Sequence, residues 1–226
     1  MGGFFSPDGL FYKVGTLVAD ICVLGIVWLI ASIPVFTIGA STAALYYVVT
    51  RRISDREGYL FRDFWKSFRQ NFKNATICWM LTLALICVIY INLDNMGLLG
   101  NLILFFYPFQ ILLLIETLFV SMYVYAIIAR FEMSVKETFK TAFFMANKHL
   151  FTSLLTVVLG LAVFVLAYSF PPLIPFAMGL FAYVHAHLIM RVFRRYRPEI
   201  DRDPGFEEEP RNEKRRLFSR EDTRRK

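Results

Sequence analysis

The sequence alternates between long apolar runs and short polar segments. Uncharged runs of about 18 or more residues are typical of transmembrane helices, because a hydrocarbon layer of roughly 30 Å takes about 20 residues to cross. Prolines mark two of the breaks, since proline lacks an N–H group and clashes with the preceding helical turn. The pattern predicts six spans, of which the second is the shortest: residues 14–32, 35–50, 75–93, 109–129, 150–170 and 173–190.

The fourth apolar stretch, residues 96–129, is longer than one span requires. As a helix it would measure about 50 Å, against roughly 30 Å of hydrocarbon. Pro108 is therefore predicted to divide it into a short outer interfacial segment and a span from Phe109 to Ala129.

The basic residues indicate how the spans are oriented. All 25 lysines and arginines lie before the first span, in the segments 51–74 and 130–148, or in the tail from Arg191. With six spans, every one of these segments falls on the same side, which the positive-inside rule assigns to the cytoplasm. The sequence thus predicts an all-α polytopic membrane bundle, residues 1–196, with both termini cytoplasmic. The charged tail, residues 197–226, is predicted to be disordered.

An amphipathic helix is predicted in the first cytoplasmic segment. Its aromatic residues recur at helical spacing, and a basic stripe runs beside them. Such a helix suits the membrane surface or packing under the bundle, and a partner-docking surface is the rival interpretation. The aromatic positions are Phe61, Phe64, Trp65, Phe68 and Phe72, and the basic ones are Arg62, Lys66, Arg69 and Lys73.

A second cytoplasmic amphipathic helix is predicted after the fourth span. Ser134 and Glu137 fit a capping box, which starts a helix. Shifted by 74 residues, the two segments match in character, and this predicts a repeat of span, surface helix and span. The matched pairs are Phe61/Val135, Arg62/Lys136, Asp63/Glu137, Trp65/Phe139, Lys66/Lys140 and Ser67/Thr141.

No catalytic motif is present, so we expect a protein that is not an enzyme and has no cofactor or metal. The sequence lacks a phosphate-binding glycine loop, a nucleophile elbow and a metal-ligand spacing. The net charge of +7 does not predict nucleic-acid binding, because the basic residues flank apolar runs.

Ionisable residues inside predicted spans are the candidates for a functional site, because charge is costly at membrane depth. Asp20 and the two histidines lie at similar predicted depth, so a pair between the first and sixth spans is compatible with helical geometry. A structural role in holding the bundle together is the alternative, and the favoured one. The candidate intramembrane polar site comprises Asp20, Glu116, His185 and His187.

Small residues cluster in the second span. They let helix backbones approach closely in lipid, so the cluster predicts a tight helix–helix seam. The seam residues are Gly39, Ala40, Ser41, Ala43 and Ala44.

Two segments resemble the YesL-like family of bacterial integral membrane proteins. The stronger is Pro34–Tyr47, PVFTIGASTAALYY, and the second is Phe64–Trp79, FWKSFRQNFKNATICW. The family has long been of unknown function, and its members are often encoded beside carbohydrate ABC transporters. The resemblance implies a role in complex-carbohydrate uptake and supplies no catalytic or binding residue.

We therefore expect an accessory or regulatory protein of the bacterial cytoplasmic membrane that assists carbohydrate uptake by an ABC transporter. Its expected partners are the lipid bilayer and transporter subunits. A small secondary transporter with a polar intramembrane site is the alternative. The candidate surface for a partner or for lipid comprises Arg62, Trp65, Lys66, Arg69, Lys73, Lys136, Phe139 and Lys140.

Overall fold

The described residues, 10–53 and 59–196 of a computed structural model, fold entirely into helices and turns. Short 3-10 segments connect several of the helices. The tail predicted to be disordered, residues 197–226, lies outside the described residues. The helices are α1 (Leu10–Ala31), α2 (Ile38–Ile53), α3 (Leu60–Asp94), α4 (Ile103–Arg130), α5 (Val135–Lys148), α6 (Leu150–Ser169) and α7 (Ile174–Tyr196).

Among residues 10–53 and 59–196, five helical segments are long and apolar enough to cross a membrane, which indicates an all-helical membrane protein. They lie in α1, α3, α4, α6 and the segment that contains α7. The predicted second span corresponds to α2, whose 16 residues measure about 24 Å. The count of six spans and the cytoplasmic placement of both termini stay predictions.

Helices α1 and α3 both run antiparallel to α2. Pro34 ends the α1 segment as predicted, and the Thr37 hydroxyl donates to the Pro34 carbonyl at 2.6 Å. The indole N–H of Trp79 donates to the Val35 carbonyl at 2.8 Å, which fixes this turn beside the middle of α3. Nearly every residue of α2 from Gly39 to Thr50 is buried, so α2 forms the centre of the bundle.

The predicted first surface helix is not a separate element. Residues 60–94 form one uninterrupted α-helix of 35 residues, where the sequence predicted a surface helix and a span. The junction 73–76 contains neither glycine nor proline, so nothing local ends the helix. Ala75 is fully buried against α2, which holds the junction in helical form.

Pro108 does not divide the fourth stretch as predicted. It is the sixth residue of α4, where it removes only the bond to the Leu104 carbonyl. The helix continues through Pro108 with this one hydrogen bond missing, because the bonds on either side of it remain. The chain breaks earlier instead, in the segment Met96–Leu102, where Gly100 has a φ of 52°.

The helix predicted after the fourth span exists as α5. The Ser134 side chain accepts from the Glu137 amide, and the Glu137 carboxylate accepts from the Ser134 amide, so the predicted capping box is confirmed. Helix α5 ends at Lys148, and the next residue, His149, has a φ of −117° and a ψ of 49°, which are not helical. Helix α6 then begins at Leu150.

Two glycines bring α1 and α7 into backbone contact. A Cβ atom at Gly25 would lie 1.8 Å from the Pro175 carbonyl oxygen, and one at Gly179 would lie 2.3 Å from the Ile21 carbonyl oxygen. Rising residue numbers in α1 thus face falling numbers in α7, so the two helices run antiparallel.

Candidate functional site

Asp20 forms an ion pair that joins α1 to α2. Its Oδ2 atom lies 2.7 Å from Nη2 of Arg52, and the aspartate side chain is 17% exposed. Arg52 stands in the last turn of α2, where a cation also interacts favourably with the helix dipole. The contact neutralises Asp20 within the bundle.

A second ion pair, between Arg51 and Asp63, joins α2 to α3. The Arg51 Nη1 atom lies 3.4 Å from Oδ2 of Asp63, and both side chains are mostly buried. Arg51 also donates to the Tyr47 hydroxyl at 3.5 Å. Sequence reasoning missed this pair, although the signal was present: consecutive arginines end α2, and an acid lies in the first turn of α3.

His185 pairs with a tyrosine that the sequence did not single out. Its Nδ1 atom is hydrogen-bonded to the hydroxyl of Tyr46, which joins α7 to α2. The Phe181 ring stacks on the imidazole at 5.5 Å between centroids, and the histidine is fully buried. Its Nε2 atom is buried and has no hydrogen-bond partner among the described residues.

His187 does not share the surroundings of His185. Its ring lies 4.9 Å from that of Tyr183, and its buried Nδ1 atom has no hydrogen-bond partner within the part of the chain that the structure describes. The two histidines are two positions apart on a helix, so their side chains leave it in different directions.

Glu116 contacts α5. The side-chain amide of Asn147 donates to its Oε1 atom at 2.6 Å. Glu116 lies fourteen residues before Arg130, the end of α4, and Asn147 lies thirteen residues after Ser134, the cap of α5. These separations correspond to about 20 Å of each helix. Helix α5 therefore runs back alongside α4.

The predicted polar site is thus divided among separate contacts. Asp20 pairs with Arg52, Glu116 with Asn147, and His185 with Tyr46. Each of these pairs links two helices, as the structural interpretation of these residues requires. Within the described ranges, no group of three histidine, cysteine, aspartate or glutamate side chains could hold a metal ion.

One of the small residues of α2, Gly39, lies at its contact with α3. All five predicted seam residues are buried. A Cβ atom at Gly39 would lie 2.5 Å from the Ala75 carbonyl oxygen and 2.6 Å from Cβ of Trp79. Only glycine lets the two backbones come this close.

The aromatic and basic residues at the start of α3 divide between the interior and the surface. Phe64 is fully buried, whereas Phe61 and Trp65 are exposed. The Trp65 ring stacks on Phe68 at 5.1 Å, and the Arg69 guanidinium lies 5.9 Å from the centroid of the Trp65 ring. The stripe residues, which we call the α3 basic stripe, are all exposed: Arg62, Lys66, Arg69 and Lys73.

The exposed face of α5 has a similar composition. Lys136 and Lys140 are exposed, and Phe139 is partly buried. Phe143 and Phe144 are more than half exposed, and the Lys148 ammonium lies 5.5 Å from the centroid of the Phe144 ring. We call the exposed residues Lys136, Lys140, Phe143 and Phe144 the α5 face.

The Glu137 carboxyl, which lies outside the apolar segments, has a shifted pKa. Hydrogen bonds from the Ser134 side chain, and then from its backbone amide, lower the pKa of Glu137 because they stabilise the charged form. The ionised carboxylate is thus the form that caps α5.

Comparison with known proteins places a family match on the first three helices. The family model described as "Protein of unknown function, DUF624" matches residues 21–93, from within α1 almost to the end of α3. No curated protein and no solved structure matches the chain. DUF624 is the family of YesL-like membrane proteins, and residues 21–93 of this chain are similar to it.

Proposed function

We propose that this protein is a non-enzymatic accessory or regulatory subunit of a carbohydrate uptake system in the bacterial cytoplasmic membrane, assisting an ABC transporter of oligosaccharides. Both termini are cytoplasmic in this proposal. The carbohydrate context comes from the resemblance to YesL-like proteins.

The observation that carries the accessory role is that four ionisable side chains of the described bundle pair with partners on neighbouring helices. Asp20, Asp63 and Glu116 each contact a side chain on another helix, and so does His185. A carrier needs such groups for its substrate or coupling ion. Here they hold α1, α2, α3 and α7 together, and α4 to α5, which favours a scaffold that acts through its surface.

The α5 face is the proposed contact with the transporter. It presents two cationic groups beside two exposed aromatic rings. Aromatic residues contribute strongly to protein–protein interfaces, and cations select an acidic partner surface. The capping box and the Glu116–Asn147 bond hold α5 as a formed helix, so little conformational entropy is lost on binding.

Site-specific photo-crosslinking tests this proposal. A photoreactive amino acid at Phe144 is expected to capture a transporter subunit in native membranes, identified by mass spectrometry after mild detergent purification. The same group at Leu161, an exposed residue of α6, serves as the control and is expected to capture lipid. Lys136→Glu with Lys140→Glu should abolish the capture at Phe144. If no transporter subunit is recovered at either position, the accessory role is wrong.

A second candidate function, a small secondary transporter, is favoured by the buried Nε2 atom of His185, which has no hydrogen-bond partner in residues 10–53 and 59–196. Buried polar atoms without partners are uncommon and often belong to functional sites. Solute flux in liposomes that is abolished by Glu116→Gln would support this candidate. Vesicles that stay passive to sugars and to protons would exclude it.

A further inference from the structure

We propose that the membrane-proximal part of the α3 basic stripe, Arg69 and Lys73 together with Trp65, binds the phosphate headgroups of anionic phospholipids. This inference does not depend on the proposed function. It concerns α3, whereas the proposed transporter contact is on α5.

The cationic groups at the membrane-proximal end of the α3 basic stripe are exposed. Arg69 and Lys73 are exposed and lie four residues apart, so they share one side of α3. Phe64, on the inward side, is fully buried and anchors this part of the helix to the bundle. The stripe is therefore held facing away from the bundle.

The α3 basic stripe continues directly into an exposed apolar surface. Helix α3 is unbroken, so Lys73 lies four residues from Ile77 and Arg69 lies eight, about 6 and 12 Å along the helix. Ile77, Met80 and Leu81 are exposed apolar side chains on the candidate span. Basic residues next to a membrane span attract anionic lipid headgroups.

The indole of Trp65 suits the boundary between apolar and aqueous regions. Its indole is 47% exposed, stacks on Phe68 and carries the Arg69 guanidinium near its face. Tryptophan is enriched where apolar and aqueous regions meet. Arginine binds a phosphate through two parallel hydrogen bonds, which a planar guanidinium held beside an indole is well placed to make. A phospholipid headgroup combines the phosphate and the interface that these groups fit.

The experiment uses the purified full chain in liposomes, where no transporter is present. Trp28→Phe and Trp79→Phe leave Trp65 as the single tryptophan. Brominated phosphatidylglycerol is expected to quench Trp65 more than brominated phosphatidylcholine does at equal mole fraction. Each basic residue at an anionic surface corresponds to about fivefold enrichment of anionic lipid. Molar salt should reduce this enrichment, because the screening length falls to about 3 Å.

The matched control distinguishes the site from general charge. Arg69→Glu with Lys73→Glu should equalise quenching by the two lipids, whereas Lys136→Glu with Lys140→Glu, the same change in net charge on α5, should leave the preference intact. Equal quenching by both lipids in the parent protein, or equal loss in both double variants, would overturn the proposal.

Because Trp28 and Trp79 donate hydrogen bonds to Thr42 and Val35, their replacement can destabilise the bundle. Native mass spectrometry of the unmodified chain in an equal mixture of the two lipids gives an independent measurement. Retained phosphatidylglycerol should exceed phosphatidylcholine, and the excess should vanish in the Arg69→Glu, Lys73→Glu variant alone.

Discussion

Residues 61–73 and 135–147 share a pattern of apolar, basic and acidic positions, yet they fold differently. The first continues without a break through the rest of α3, whereas the second ends and the chain resumes as α6. Ala75 and its counterpart at the shift of 74, His149, mark the difference. Ala75 is fully buried against α2, whereas His149 has a backbone conformation outside the helical region. The comparison teaches that a local pattern predicts a helix, while tertiary contacts decide where it ends.

The acidic counterparts of the two segments also have different partners. Asp63 forms an ion pair with Arg51 on a neighbouring helix, and Glu137 caps the start of its own helix. The first acid stabilises the tertiary structure and the second stabilises one turn. Replacing equivalent residues in the two segments should therefore have unequal effects.

The largest expected difference in stability is between substitutions of two helical glycines, Gly39 in α2 and Gly160 in α6. Gly39→Ala places a methyl group 2.5 Å from the Ala75 carbonyl oxygen, so α2 and α3 must separate. We expect a loss of about 2–3 kcal/mol in the free energy of unfolding. Gly160→Ala meets its neighbours at 3.6 Å, an ordinary contact, and should be neutral or slightly stabilising because alanine favours helices. Unfolding in mixed micelles measures both. Equal losses would contradict the close α2–α3 approach.

The paired acids give the next effect. Asp63→Asn removes the charge that faces Arg51, and we expect a loss of about 2 kcal/mol, below the range for a fully buried pair because both side chains are partly exposed. Glu137→Gln keeps a residue that also serves in a capping box, so the melting temperature should change little. A larger shift for Glu137→Gln than for Asp63→Asn would reverse the assigned roles.

The attachment of α5 to α4 gives a smaller effect. Asn147→Leu removes the bond to Glu116, worth about 1 kcal/mol. Amide hydrogen exchange in α5 should become about fivefold faster, as this energy implies. Asn74→Leu, an exposed substitution on α3, is the control and should leave exchange in α5 unchanged. Unaltered exchange in both variants would show that the Glu116–Asn147 bond does not hold α5.

The smallest expected effect is a pH dependence confined to the start of α5. Because hydrogen bonds from Ser134 lower the pKa of Glu137, the cap is fully present above the ordinary glutamate pKa and is lost as the pH falls through the lowered value. The protection of the Glu137 amide against hydrogen exchange, taken relative to its intrinsic rate, should therefore fall in acid. Ser134→Ala should remove this pH-dependent loss of protection, and a persisting loss in that variant would assign it to another group.

Several features were predictable because their causes lie within a few residues. The turn at Pro34 and the capping box at Ser134 follow from the properties of the residues themselves. The effect of Pro108 was predicted wrongly: the proline lies inside α4, and the chain breaks at Gly100 instead. A proline in the sequence therefore does not by itself fix where a helix begins.

The candidate polar residues show the other limit of local reasoning. Their depth in a helix can be counted, and the count put Asp20 near the histidines. Their partners, Arg52, Tyr46 and Asn147, lie on elements whose approach depends on backbone contacts elsewhere. One such contact is that of Gly25 with Pro175.

By itself, the sequence determined that this chain is helical and belongs in lipid, because apolar length and proline spacing act along the chain. Only the tertiary structure decided that α3 is continuous, that α5 folds back on α4, and which polar groups meet. Those outcomes depend on distances between helices, and a distance of that kind is set by packing that no single segment encodes.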